Sequence, residues 1–135
     1  MERQKEIIDA SVIVKLFAEE ENSEEMFKVM QSHINNEIAL LVPELIFLEV
    51  LNALRYKKFN LNASEKANIN LWNFQLESVH LDAFLLNKAI KNSMEFGLSI
   101  YDAVYVSLAQ IHGVPLITAD EKLLKIPNAV SLKEI

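Results

Sequence analysis

The chain has 135 residues, 51% of them hydrophobic, which is material for a single buried core and one domain spanning 1–135. It has no cysteine, which excludes disulfides, thiolate zinc sites and cysteine nucleophiles and fits a reducing cytoplasm. Nineteen acidic residues against 13 basic ones give a formal net charge of −6, which opposes unaided binding to a phosphate-rich polymer.

In chain order, short apolar runs alternate with longer helical patterns, the signature of βαβ units and a mostly parallel sheet. Residues 6–10 read as strand 1. Ser11 is placed to cap a helix over about 12–20. A second helix fits 23–35, with Ser23 as N-cap and Glu24 and Glu25 in its first turn. The continuous apolar run 38–42 reads as a strand covered on both faces, and Pro43 opens a helix over about 43–57. Another helix fits 63–76, starting near Asn62 or Ser64. A third strand covers 78–81. Asp82 caps a helix over 83–96 that Gly97 ends. Ser99 opens a helix over about 100–112, with Gly113 as its left-handed C-cap. Strand 4 follows at 114–118, then a short helix at 120–125 and an edge strand at 129–132. No run of 18 apolar residues exists, so no membrane span is expected, and the first six residues do not open a secretory signal.

Four acids sit inside apolar stretches: Asp9 in Ile7-Ile8-Asp9-Ala10-Ser11-Val12, Glu49 in Phe47-Leu48-Glu49-Val50-Leu51, Asp102 in Ile100-Tyr101-Asp102-Ala103-Val104, and Asp120 after Leu116-Ile117-Thr118-Ala119. A buried carboxylate is strongly unfavourable unless it is protonated, paired or metal-bound. No Arg or Lys lies within these stretches. Asp9 and Asp120 fall at strand C-termini, the edge where open α/β sheets bind ligands, and Glu49 and Asp102 lie on helices that can face the same edge. Taken singly, most have ordinary readings. Asp9 and Asp120 can be helix caps, and Ser99-Ile100-Tyr101-Asp102 has the form of a capping box. Glu49 resists one, since only Asn52 and Lys57 extend its polar stripe. The four acids also carry two thirds of the net charge, so two bound divalent cations would offset them and restore compatibility with a phosphate-bearing substrate.

Together these segments resemble the PIN-domain nucleases, and most closely the VapC-like toxins of prokaryotic toxin–antitoxin pairs. The resemblance covers essentially the whole chain. It rests on Ile8-Asp9-Ala10-Ser11, on Pro43-Glu44-Leu45 through Glu49-Val50-Leu51-Asn52, on Leu98-Ser99-Ile100-Tyr101-Asp102-Ala103-Val104-Tyr105, and on Pro115-Leu116-Ile117-Thr118-Ala119-Asp120-Glu121. It implies a three-layer α/β/α sandwich with strand order 3-2-1-4-5, in which Asp9 and Asp120 meet at the switch point and Asp82 stays a distant cap.

The chemistry it implies is metal-dependent hydrolysis of RNA phosphodiesters. Asp9, Asp102 and Asp120 would be ligands of Mg²⁺ or Mn²⁺, and Glu49 either a ligand or the residue that orients the water. Ser11, Thr118 and Asn52 would act in support, or simply cap and satisfy neighbours. Arg55, Lys57 and Lys58 form the best basic cluster for RNA, or else complement a helix C-terminus. Repulsion among the acids should raise at least one of their pKa values without metal. The resemblance also implies a cognate antitoxin and a homodimer. The rival readings are an RNA-processing PIN nuclease that is not a toxin, which the lack of an appended RNA-binding module disfavours, and a catalytically silent interaction module. A phosphohydrolase with Asp9 as nucleophile would want Asp-x-Asp where Asp9-Ala10-Ser11 stands. His33, His80 and His112 show no metal-ligand spacing, and Tyr101, Tyr105 and Trp72 read as core.

Overall fold

A computed structural model describes residues 3–135. Five strands form one sheet: β1 (Gln4–Ile8), β2 (Ile38–Pro43), β3 (Glu77–Val79), β4 (Leu116–Ile117) and β5 (Ala129–Val130). Their order is β3-β2-β1-β4-β5 and every ladder is parallel, so the sheet is wholly rather than mostly parallel. The helices are α1 (Ala10–Ile13), α2 (Ser23–Ile34), α3 (Ile46–Tyr56), α4 (Leu61–Asn73), α5 (Ala83–Phe96), α6 (Ile100–His112) and α7 (Glu121–Leu124). Right-handed crossovers from β1 to β2 to β3 place α1 to α4 on one face, and the return to β4 places α5 and α6 on the other. The resulting three layers match the expected sandwich. Ile7, Ile8, Leu40 and Ile117 are fully buried between them.

Several element ends differ from expectation. The first helix starts at Ala10 and tightens into a 3-10 turn at Val14–Leu16, well short of residue 20. Its N-cap is Asp9, which accepts from Ser11 N, so Ser11 is inside the helix. Asn22, in the left-handed region, takes the N-cap position of α2, while Ser23 Oγ accepts from Glu20 N. Pro43 ends β2 rather than opening a helix, because it is paired with Val79 and the chain stays extended; α3 begins at Ile46. Asn60, not Asn62 or Ser64, caps α4 by accepting from Ala63 N. Glu44 lies before α3, outside the helix. Its carboxylate accepts from Leu81 N and bonds His80 Nδ1, fixing the turn after β3.

Asp82 caps α5, and Gly97 and Gly113 end α5 and α6 at φ near +65°, where a side chain would be strained. Helices α5 and α6 pack along their length around a buried polar group. Asn92 Nδ2 donates to Ser107 Oγ at 2.8 Å and to Gln110 Oε1 at 2.9 Å, and Gln110 Nε2 returns a bond to Asn92 Oδ1. Every buried side-chain polar atom among the described residues has a partner. Among them, no helix is long and apolar enough to cross a membrane.

His33 is a buried pin rather than a functional group. Its Nδ1 accepts from Leu40 N at 3.1 Å, so its proton sits on Nε2, 3.0 Å from Phe74 O and 3.1 Å from Gln75 O. One ring thus ties α2 to β2 and to the turn that leads into β3. His33→Ala leaves these backbone groups unpaired, and urea unfolding should register a loss of about 2–4 kcal/mol.

Candidate active site

The parallel order puts the C-termini of β1 and β4 side by side, with Ile8 level with Ile117. The next residue on β1 is Asp9, only 4% exposed. Its carboxylate is held from the segments that follow both strands. Ser11 N and Ser11 Oγ donate to Oδ1 at 3.0 and 2.5 Å, and Thr118 Oγ1 donates to Oδ2 at 2.5 Å. Each hydroxyl also accepts from a backbone N–H on the β4 side: Ala119 N reaches Ser11 Oγ at 2.9 Å, and Asp120 N reaches Thr118 Oγ1 at 3.0 Å. A hydroxyl has one proton, and both protons are aimed at Asp9, which is the arrangement an ionised carboxylate requires. Burial nevertheless pushes the Asp9 pKa up to about 6, the hydroxyl and amide bonds holding it from rising further.

Asp120 caps α7 by accepting from Lys122 N at 2.8 Å. Asp102 stands half-buried in the first turn of α6. Ser99 Oγ accepts from Asp102 N, but no bond returns from the Asp102 carboxylate to the Ser99 backbone, so the capping box is half-formed and that carboxylate is left for the sheet edge. Burial raises the Asp102 pKa, and the charge of Asp120 raises it further; Lys122 pulls it down. Glu49 is half-buried near the start of α3. Its pKa is raised by burial first and by Asp102 as well, while a hydrogen bond from Tyr105 lowers it.

Charge therefore links the acids: Asp120 acts on Asp102 and Asp102 on Glu49, while the Tyr105 hydroxyl feels Glu49, Asp9 and Asp102. The expected rise in pKa is present, but burial rather than repulsion is its largest cause. Among the described residues, no three His or carboxylate side chains are already gathered at metal-holding distances. The donors themselves are hard oxygens of the kind that Mg²⁺ and Mn²⁺ take, and Glu49 Oε2 accepts no hydrogen bond among those of the described residues, while the Ser99 hydroxyl lies close enough to the Asp102 carboxylate to lower its pKa slightly.

The other candidates divide. Ser11 and Thr118 are joined to Asp9 as described. Asn52 is exposed one turn from Glu49, on the same side of α3. Arg55 is exposed and makes no ion pair among the described residues, and Lys58 is exposed beyond the helix. Lys57 is committed, its Nζ lying 2.5 Å from Glu20 Oε2. A cleft of about 340 Å³, lined by Lys15, Asn22, Thr118, Ala119 and Lys133 among others, borders the site on the Thr118 side and contains none of the four acids.

Two residues escaped the sequence reading. Lys122 acts on Asp102 across the site, and nothing in its sequence position signals that. Tyr105 is core, as expected, yet its hydroxyl donates to Glu49 Oε1 at 2.5 Å. Its spacing of three from Asp102, and the need of a buried tyrosine for a hydroxyl partner, were available signals. Burial and the surrounding carboxylates hold its phenol protonated, well above the usual range. Tyr101 and Trp72 are not core: they are 65% and 58% exposed, Trp72 stacking one face on Phe47 with ring centroids 4.0 Å apart.

Comparison with known proteins agrees with this architecture. The PIN domain model matches residues 7–129. Ribonuclease VapC3 of Pyrobaculum aerophilum is 32% identical over 131 residues, spanning 93% of this chain and 97% of that one. Among solved structures, PAE2754 from Pyrobaculum aerophilum matches with a TM-score of 0.72 at 20% identity, covering 97% of this chain and 91% of its own. The toxin–antitoxin complex from Klebsiella pneumoniae matches at 0.71 and 17% identity, covering 96% and 98%. VapC20 of Mycobacterium tuberculosis, described as a sarcin–ricin-loop-cleaving toxin, matches at 0.66 and 14%, covering 84% and 86%. With the strand order, the family match over nearly the full length and a relative above 30% identity in agreement, this chain belongs to the PIN domain family.

Proposed function

We propose that this protein is a divalent-metal-dependent endoribonuclease and the toxin of a toxin–antitoxin pair. The observation that carries the reading is the Asp9 carboxylate, buried yet held in its ionised arrangement by Ser11 and Thr118, at the sheet edge where Asp120 acts by charge on Asp102 and Asp102 on Glu49. A structural cap has no need for three further acids at one sheet edge. The name of the 32%-identical relative, a ribonuclease, and the toxin–antitoxin complex among the structural matches support the same reading. Its RNA substrate places its action in the cytoplasm. A homodimer and a cognate antitoxin protein belong to it as well.

In this reading Asp9, Asp102 and Asp120 hold the cation, Mg²⁺ or Mn²⁺. When bound, such an ion polarises the scissile phosphate and makes an attacking water more acidic. The protein's own contributions are specific. Ser11 and Thr118 keep Asp9 charged and fixed in orientation. Glu49 offers Oε2 to the water or to the cation. Lys122 moderates the charge of Asp102. Asn52, Arg55 and Lys58, along the exposed side and end of α3, hold the RNA backbone; Lys57 does so only by releasing Glu20.

Incubating the wild type with a defined RNA set should give cleavage with Mg²⁺ or Mn²⁺ and none with EDTA. Asp9→Asn and Asp102→Asn should abolish it, and full activity in both variants would end the proposal. Millimolar metal should raise the melting temperature of the wild type by an amount equivalent to about 2–3 kcal/mol if it stands near a hundredfold above Kd; Asp9→Asn should respond much less.

Metal-free stability should depend on pH through Asp9. Its folded pKa, about 6, lies above the ordinary aspartate value of 3.8, so the folded state binds the extra proton between them. Stability in EDTA should therefore fall as pH rises from about 4 through about 6, by on the order of 3 kcal/mol at 1.36 kcal/mol per unit. Denaturant midpoints across pH 4–8 test this, and Asp9→Asn should flatten the decline.

A further inference from the structure

Tyr105 is the largest of the fully buried side chains, at 1% exposure, and sits one turn along α6 from Asp102. Its ring is locked in the core, while its hydroxyl lies among the acids. The bond it gives to Glu49 joins residues 56 apart in sequence and links α6 to α3. The two partners are unequal. A ring packed on all sides has one place to be, whereas a half-buried glutamate has three side-chain torsions to settle and the negative charge of Asp102 nearby to avoid.

Resting on the metal-nuclease reading above, we propose that Tyr105 is a positioning residue for the reaction: its hydroxyl binds Oε1 of Glu49 and fixes that carboxylate so that Oε2 is its working oxygen. Tyr105 itself touches neither cation nor RNA. It acts through Glu49, and that dependence makes it separable from a purely structural tyrosine. A phenol that only filled the core would be replaceable by phenylalanine at no cost to chemistry, whatever the state of Glu49.

The test is a cycle of wild type, Tyr105→Phe, Glu49→Gln and the double variant. It reads kcat and KM on a defined RNA with Mg²⁺, and Mn²⁺ affinity of the metal-free protein by calorimetry. Tyr105→Phe should lower kcat by about tenfold or more, the range usual for partners that orient a metal-site residue, with KM for RNA unchanged; Mn²⁺ affinity falls with it where Oε2 meets the cation and holds where Oε2 meets the water. In the Glu49→Gln background the same substitution should change neither quantity further. Equal losses in both backgrounds, a change in KM alone, or no change at all would overturn the proposal. Glu49→Asp, charged but too short to keep the bond, should reproduce the loss with Tyr105 intact, and wild-type activity in that variant would overturn it even if Tyr105→Phe failed to fold. A wild type that neither binds Mn²⁺ nor cuts RNA would instead remove the nuclease reading, and this inference with it.

Discussion

The structure is organised around one electrostatic constraint: a carboxylate buried at the point where the sheet changes direction. Asp9 follows the end of β1 beside β4, almost wholly withdrawn from solvent, and the protein holds it with two hydroxyls, one in α1 and one just after β4, that are more than a hundred residues apart in sequence. Those hydroxyls are fixed in turn by Ala119 N and Asp120 N. A rigid shell of this kind is expensive to assemble in a region that gains nothing from it for packing, because an apolar residue at position 9 would pack without it. Its presence is intelligible when the charge itself is wanted.

The remaining acids are placed by different devices on the same edge. Asp120 arrives as the cap of a four-residue helix, Asp102 in the first turn of α6, and Glu49 near the start of α3. Their carboxylates differ in surroundings. Asp9 is held by two hydroxyl donors, Asp120 is anchored by one amide, Glu49 has one anchored oxygen and one open, and Asp102 is touched by Ser99 and by the charges of Asp120 and Lys122. Four carboxylates so different are not interchangeable, even though composition alone presents them as one acidic set.

Much of this was legible in the residues. The helix-ending glycines, the Asp82 cap and the placing of the four acids on strand ends and helices follow from period and capping chemistry, and the strand order from the resemblance to the PIN-domain nucleases. The failures share a cause: they turn on which distant group arrives. Asp9 and Ser11 are both good caps two residues apart, and the bond from Ser11 to the β4 segment is part of what settles which one caps. Pro43 is an excellent first helical residue that β3 keeps extended. Lys57 looks free until Glu20 reaches it from the loop before α2. Trp72 and Tyr101 have the size and spacing of core residues, but their helices turn them outward. The hydroxyl of Tyr105 is the clearest instance, since apolar periodicity places the ring and says nothing of its far end.

The polar group between α5 and α6 has a consequence for the reaction centre. Ser107 and Gln110 lie five and eight residues beyond Asp102 on the same helix, and both are matched to Asn92. Apolar side chains would tolerate a small axial slide of one helix along the other. This polar cluster would not, since even the 1.5 Å step of a single residue would strand the buried Asn92 Nδ2 and Ser107 Oγ without each other. Asn92 thereby works as an index mark: it sets how far α6 projects toward the sheet edge, and so gauges the height of Asp102 and Tyr105 from a point well away from them.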